Sequence, residues 1–204
     1  MRSAVWCLLF LAGSALCAQE YFPPGVLGHT AQEHEIEADR YSEYLKALHE
    51  PSLWELSQHD PKAEVYRFTW LRSFHHPISV RLVIRPSGSS WSHSRMTSSK
   101  GGAQPGRIIR YSNSWETKGR TASFIDVLEH ADFWNLPTLV DSSVGPNGEV
   151  TVTLDGAEWI VEGVKNGHYR VVLRTSPDAV DPVRAIGLHA LKLGRFRVRA
   201  NEIY

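Results

Sequence analysis

The chain has 204 residues, of which 42% are apolar and 22% are charged, and its formal net charge is zero. This composition is typical of an ordinary globular protein with one domain, or at most two small ones. Because a neutral chain creates no global field that attracts nucleic acid or an anionic membrane, neither is an expected partner. The charge is uneven, since residues 31–64 are acidic and residues 195–199 are basic. We interpret this unevenness as acid–arginine pairing between the two segments.

The N-terminus is typical of a secretory signal peptide. Arg2 precedes an apolar run at residues 4–12, and mostly small residues follow through Ala18. This order of basic start, apolar stretch and small-residue exit indicates export, and the run is shorter than the roughly 20 residues that span a bilayer. We predict cleavage after Ala18, with Ala15 or Cys17 as alternative cleavage positions.

Both cysteines, Cys7 and Cys17, lie inside this predicted signal peptide. The domain that follows is therefore expected to have neither disulfides nor a thiol nucleophile, and it is long enough to form a core without disulfides. Its expected location is the periplasm or the exterior of the cell. A minority hypothesis is a lipoprotein anchored at Cys17, which Ser14 and Leu16 fit poorly because the lipoprotein pattern has Leu and a small residue there.

The first half of the domain predicts helices followed by a hairpin. Prolines and glycines in residues 19–30 forbid a helix, so an extended leader is expected there. Apolar residues at helical spacing predict a helix over 31–49, and residues 52–57 favour a further turn of helix. Alternation with a period of two then predicts strands over 65–74 and 78–84, joined by a short proline-containing turn.

The middle of the chain is less regular. Residues 86–106 are rich in Ser and Gly and show no periodicity, so we predict a flexible loop there. A third strand is expected over residues 107–113. A helix is expected over residues 123–135, with Ser123 as its N-terminal cap.

An Asp-Gly and an Asn-Gly dipeptide in the C-terminal half are the strongest short turn signals, because both accept the positive φ angles of a type I′ turn. The segments around them predict a three-stranded meander with strands at 149–154, 157–164 and 168–174. If each dipeptide forms a two-residue loop, Val152 lies opposite Trp159 and Val161 lies opposite Val172.

The last predicted helix begins with Asp181 as its cap and Pro182 in its first turn, and Gly194 ends it. Residues 195–199 alternate again and favour an edge strand. Helices and strands in this order predict a single α+β domain over residues 31–204. It would be an antiparallel sheet built from hairpins with a C-terminal three-stranded meander, covered by about three helices.

His75 and His76, beside Pro77, are the most conspicuous polar cluster. A neutral imidazole can serve as a general base, so these two residues are candidate catalytic groups. Adjacent residues on an extended chain point to opposite faces, so the pair is not expected to bind one metal. The alternative, which we favour, is a polar turn tip.

The predicted loop also contains Trp91, His93 and Arg95. Trp and Arg are the side chains that most often carry the energy of an interface, so these three residues are candidate binding residues. The alternative is a disordered loop with one hydrophobic anchor.

Two helical pairs could each supply two metal ligands: His34 with Glu37, and Asp126 with His130. Zinc sites need three or four ligands with consistent geometry, and nothing identifies the others. Surface helical pairs are therefore the favoured interpretation, and no metal or cofactor is expected.

Two carboxylates, Glu158 and Glu162, are predicted to share a face of the meander with Tyr169. Their separation along a strand, roughly 13 Å, is too long for the paired acid and base of a glycosidase. We therefore interpret them as solvated strand carboxylates.

The sequence contains no Gly-rich phosphate loop, Gly-x-Ser-x-Gly elbow or Ser-x-x-Lys motif, which argues against the best-known enzyme classes. The first hypothesis is a non-enzymatic binding or interaction protein of the cell envelope or exterior. Its partner would be a protein or small-molecule ligand outside the cytoplasm. The alternative is a histidine-dependent hydrolase that uses His75 or His76 as its base and an acid from a neighbouring strand.

Overall fold

The computed structural model describes residues 19–101, 104–140 and 155–204. Its centre is a six-stranded antiparallel sheet with the strand order β4-β3-β2-β1-β5-β6. The strands are β1 (Glu64–Arg72), β2 (Ile78–Ile84), β3 (Ser90–Thr97), β4 (Ile108–Glu116), β5 (Ala157–Lys165) and β6 (His168–Thr175). The helices are α1 (Ala31–Ala47), α2 (Leu53–His59), α3 (Lys118–His130) and α4 (Pro182–Leu193), with short 3-10 turns at Phe133–Asn135 and Ala200–Glu202.

The predicted α+β class and the antiparallel sheet built from hairpins are confirmed, and the strand order fits the predicted meander. Val161 lies opposite Val172 as expected. Trp159 lies between Trp70 of β1 and Arg174 of β6, and Val152, its expected partner, lies outside the described residues. The sequence pattern did not indicate the pairing of Trp159 with Trp70, because β1 is distant from β5 in the chain. Residues 149–154 lie outside the described residues, as does the predicted signal peptide.

Helix α3 begins earlier than predicted. Thr117, and not Ser123, is its cap, and the Thr117 hydroxyl accepts a hydrogen bond from the Arg120 amide at 3.3 Å. The helix ends at His130, before the 3-10 turn. Ser123 therefore lies inside the helix, in its second turn. The expected cap at Asp181 is confirmed, since its carboxylate accepts from the Val183 amide at 2.7 Å.

The segment after α4 does not form the expected edge strand. Arg195 adopts a left-handed conformation with φ of 56°, which turns the chain directly after Gly194. Phe196 then packs into the core. A buried aromatic anchor therefore takes the place of strand pairing. The expected pairing of this basic segment with residues 31–64 is also wrong, because among the described residues the acid nearest to Arg195 is Glu116 of β4, at 3.8 Å.

One face of the sheet carries the larger apolar core, against α3 and α4. Its centre is a group of aromatic rings in which Phe68, Trp70 and Trp159 have centroids 5.0–6.4 Å apart. Gly187 lets α4 approach this group, because a Cβ there would lie 2.5 Å from the Trp159 ring. The small residue is therefore required by close packing.

The opposite face of the sheet is covered only in part. Residues 19–30, which contain a turn at residues 24–27, pack with α1 and α2 over β1, β5 and β6, and Leu45 lies against Ile160 and Leu53 against Val164. No helix in the described residues is long and apolar enough to cross a membrane.

Strand β3 lies inside the segment that was predicted to be a flexible loop. Its core-facing residues are the serines Ser90, Ser92 and Ser94, which are buried. The Ser94 hydroxyl donates to the Gly194 carbonyl at 3.2 Å, so the small side chain lets the end of α4 lie on the sheet. A pattern of apolar alternation cannot find this strand, because small polar residues take the place of the apolar ones.

Candidate functional site

On the partly covered face, β3 and β4 carry no helix among the described residues. Three cross-strand pairs lie there: Trp91 opposite Trp115, His93 opposite Asn113, and Arg95 opposite Tyr111. Tyr111 and Trp115 are 72% and 71% exposed. We call this surface the bare sheet face, and it comprises Arg85, Trp91, His93, Arg95, Tyr111, Asn113 and Trp115.

Contacts among these side chains hold the bare sheet face in one arrangement. The Trp91 and Trp115 rings meet edge to face with centroids 5.6 Å apart, and the Arg85 guanidinium lies 4.3 Å from the Trp91 centroid. The Asn113 Oδ1 atom lies 2.9 Å from His93 Nδ1 and accepts from Arg95 Nη1 at 3.0 Å. A network of this kind pre-organises a surface and lowers the entropy cost of binding.

A groove adjoins the bare sheet face, between α2 and strands β1 to β3. Its volume is about 820 Å³, and a smaller depression of about 240 Å³ lies over Trp91 and Trp115. The two cavities share three lining residues, Arg85, Trp91 and His93. They therefore form one concave surface that runs from the helix onto the exposed strands.

Arg81 is one of the charged residues that line the groove, and its Nε donates to Glu50 Oε2 at 2.6 Å. Arg81 belongs to a polar row that crosses the sheet from β5 to β4. The members of this row, in strand order, are Glu162, Arg67, Arg81, His93 and Asn113. The bare sheet face is therefore continuous with a buried ionic network.

The buried part of this network is an ion pair between Arg67 and Glu162, at 2.6 Å from Nη2 to Oε2, with both side chains fully buried. The Tyr169 hydroxyl donates to Glu162 Oε1 at 2.9 Å, and Arg67 Nη1 donates to the Pro51 carbonyl at 2.6 Å. Burial, together with the adjacent Glu162 carboxylate, holds the pKa of Tyr169 well above its usual range. The prediction that Glu162 is solvated is wrong, because the α2 side of the fold covers it. Glu158, as expected, is partly exposed, and it pairs with Arg40 at 2.6 Å.

The bare sheet face itself is positively charged, whereas the adjoining groove is also lined by acidic residues, at Glu55, Asp60 and Glu64. Arg85 and Arg95 lie on the bare sheet face, and among the described residues no Asp or Glu belongs to it. Burial, and then the nearby Arg81, lowers the pKa of His93 from its ordinary 6.5, so this ring is neutral at neutral pH. The positive charge of the surface therefore comes from arginine, whose planar guanidinium suits carboxylates.

His75 and His76 do not belong to this surface, since they lie in the turn between β1 and β2. His75 Nδ1 is 3.0 Å from the Tyr204 hydroxyl, and His76 Nδ1 is 2.8 Å from the Ser99 carbonyl oxygen. Within the described part of the chain, neither ring has an Asp or Glu oxygen within 4.0 Å. The contacts of these two histidines therefore supply no acid partner for a catalytic base.

The helical pairs considered as metal ligands make ordinary local contacts. His34 Nδ1 accepts from the Leu27 amide at 3.1 Å, and Glu37 binds Arg40. His130 Nδ1 lies 2.6 Å from the Asp126 backbone carbonyl oxygen. Among residues 19–101, 104–140 and 155–204, no group of three or more His, Cys, Asp or Glu side chains could hold a metal ion.

Sequence reasoning identified Trp91, His93 and Arg95, and the structure places all three on one strand face. The strand expected over residues 107–113 is present as β4, but its side chains were not assigned to the site, and Tyr111 and Trp115 are the exposed aromatic residues there. A signal was present: both strands alternate serine with aromatic, amide, imidazole or guanidinium side chains, as WSHSR in β3 and YSNSW in β4.

No family model, curated protein or solved structure matches this chain.

Proposed function

We propose that this chain is an exported, non-enzymatic interaction protein, and that the bare sheet face binds a protein partner through acidic side chains. The observation that supports this most strongly is the exposure of Trp115 and Tyr111 beside Arg85 and Arg95, on strands that no described helix covers. Aromatic and arginine side chains together are typical of the residues that carry binding energy.

The chemistry of the surface determines the choice of partner. Arginine guanidinium groups bind carboxylates through paired hydrogen bonds, and rings at the same surface supply apolar contact area. Because the bare sheet face carries arginine and, among the described residues, no Asp or Glu, an acidic surface complements it and a basic one is repelled. Export rests on the sequence pattern of residues 1–18, and it places the partner outside the cytoplasm.

The experiment uses peptides of known composition. A displayed library of random peptides is selected on the full chain, and the bound sequences are determined. We expect enrichment in Asp and Glu together with apolar residues, and binding that weakens as salt is added.

Two variants test whether the selected peptides use the bare sheet face. Trp115→Ala and Arg95→Ala should each weaken binding by at least tenfold, which corresponds to about 1.4 kcal/mol. Phe74→Ala and Arg197→Ala remove an exposed ring and an exposed guanidinium elsewhere, and these controls should bind like the parent chain. Peptides without acidic enrichment, or equal binding by all four variants, would refute the proposal.

A further inference from the structure

The outer edge of β4 is a strand edge without a partner among the described residues, since β4 is terminal in the sheet. Three of its residues are exposed apolar or aromatic side chains: Ile109 at 49%, Tyr111 at 72% and Trp115 at 71%. Unpaired backbone groups beside exposed apolar side chains form a template for another strand.

The devices that usually protect an edge strand are weak here. Ile108–Glu116 contains neither lysine nor proline. The positively charged residue of β4, Arg110, lies over the Phe196 ring at 4.7 Å and donates to the Arg195 carbonyl. Its charge is therefore held on the core side and does not prevent another strand from pairing with the edge. A bulge is present, but it affects only the Ile108–Ile109 end, and the pairing with β3 is regular from Arg110 to Glu116.

We propose that β4 pairs with β4 of a second copy of this chain, antiparallel, about a two-fold axis at Asn113. The pairing uses only the regular part of the strand. In this register Tyr111 of each copy faces Trp115 of the other, and Arg110 faces Glu116. Ser112 faces Ser114, and the two Asn113 residues face each other.

The sequence of β4 favours this register over its neighbours. Aromatic pairs directly across two strands are stabilising, and the Asn113 register supplies two of them, because Tyr111 of each copy lies opposite Trp115 of the other. An axis at Ser112 would place Trp115 opposite Ile109, inside the bulge. An axis at Ser114 would place Trp115 opposite Asn113 and leave Tyr111 without an aromatic partner.

The dimer goes beyond the proposed function, because it uses the strand edge and leaves the bare sheet face open. Two bare faces would become one continuous surface across the axis. Two linked sites for one partner raise its apparent affinity through effective concentration.

The first test is the mass of the full chain in solution, measured by light scattering over a range of concentrations. We expect twice the mass of the single chain, which is 23.0 kDa when residues 1–18 are retained. Trp115→Lys should shift the protein to monomer, because it removes both aromatic pairs with Tyr111 and places on the pairing edge a lysine, which is a residue that protects natural edge strands. Ile36→Lys, a change at a 58% exposed apolar residue of α1, is the control and should remain dimeric.

The second test fixes the register by disulfide formation in a chain that carries Cys7→Ser and Cys17→Ser. Asn113→Cys should form a covalent dimer, because residues directly opposite have Cα atoms roughly 4.5–5.5 Å apart, within disulfide range. Tyr111→Cys should not, since its two copies would lie roughly 13 Å apart.

Several results would overturn the dimer: a monomeric parent chain at every concentration, a Trp115→Lys variant that stays dimeric, or equal crosslinking at both positions. A chain that is monomeric but binds acidic peptides would overturn the dimer and leave the proposed function standing. Heterotypic pairing, in which β4 accepts only a strand of another protein, would also appear as a monomeric parent chain.

Discussion

Replacement of Arg67 by methionine tests how strongly the buried ionic network contributes to stability. Arg67 and Glu162 are both fully buried, and their ion pair spans 2.6 Å between neighbouring strands. Methionine fills much of the volume of arginine but leaves the Glu162 carboxylate in the core with only the Tyr169 hydroxyl as a partner.

The expected loss of folding stability comes from the Glu162 carboxylate, whose buried charge is left without an ion pair. Removing one partner of a buried pair costs about 3–5 kcal/mol, which is a large part of the 5–15 kcal/mol that holds a typical domain folded. Glu50 is less affected, because it keeps Arg81 at 2.6 Å and lies 3.8 Å from Arg67. The double variant Arg67→Met/Glu162→Leu removes both charges and should be less destabilised than the single variant. It still loses about 1–2 kcal/mol, because the Pro51 carbonyl and the Tyr169 hydroxyl lose their partners.

The assay is equilibrium unfolding in urea, followed by tryptophan fluorescence. Arg40→Met serves as the control, because Arg40 pairs with Glu158 and both side chains are partly exposed, so it should cost less than about 1 kcal/mol. Arg67→Met that costs no more than Arg40→Met, or a double variant less stable than the single one, would show that the buried charge is not what destabilises Arg67→Met.

The remaining predictions concern packing, capping and protonation. Gly187→Ala should lower the free energy of unfolding by about 1–3 kcal/mol, because the added Cβ meets an indole ring at 2.5 Å. Gly119→Ala is the control: its Cβ meets nothing within 4 Å, so it should leave thermal stability unchanged or raise it. In thermal unfolding, Thr117→Ala should lower the free energy of unfolding by about 1 kcal/mol, and Ser123→Ala should lower it much less. The opposite order would mean that Ser123 is the cap. Because the pKa of His93 is lowered in the folded chain, the unfolded chain binds the proton more readily, and the free energy of unfolding should fall as the pH drops below about 6.5. His93→Gln should reduce that fall in urea unfolding; an unchanged pH dependence would contradict the buried, neutral ring.

Local signals predicted the elements that local chemistry determines. The Asn-Gly dipeptide fixed the β5–β6 hairpin, because it accepts positive φ, and Asp181 with Pro182 fixed the start of α4. The neighbour of β5 could not be predicted, since β1 is far away in the chain and only long-range packing pairs Trp70 with Trp159.

The candidate site was predicted only in part, for a physical reason. Its exposed side chains, such as Trp91 and Arg95, could be recognised by residue type, but the strand that carries them has a serine core side and gave no apolar alternation. Glu162 was misread because alternation shows which face a residue occupies and cannot show whether a helix covers that face.

If the bare sheet face contacts an acidic partner, the indole N–H signals of its tryptophans in an NMR spectrum should respond to that partner. On titration with a selected acidic peptide, the signals of Trp91 and Trp115 should shift, while those of the buried Trp70 and Trp159 should stay in place. Shifts confined to the turn around His75, with Trp91 and Trp115 unchanged, would show that the peptide does not bind the bare sheet face.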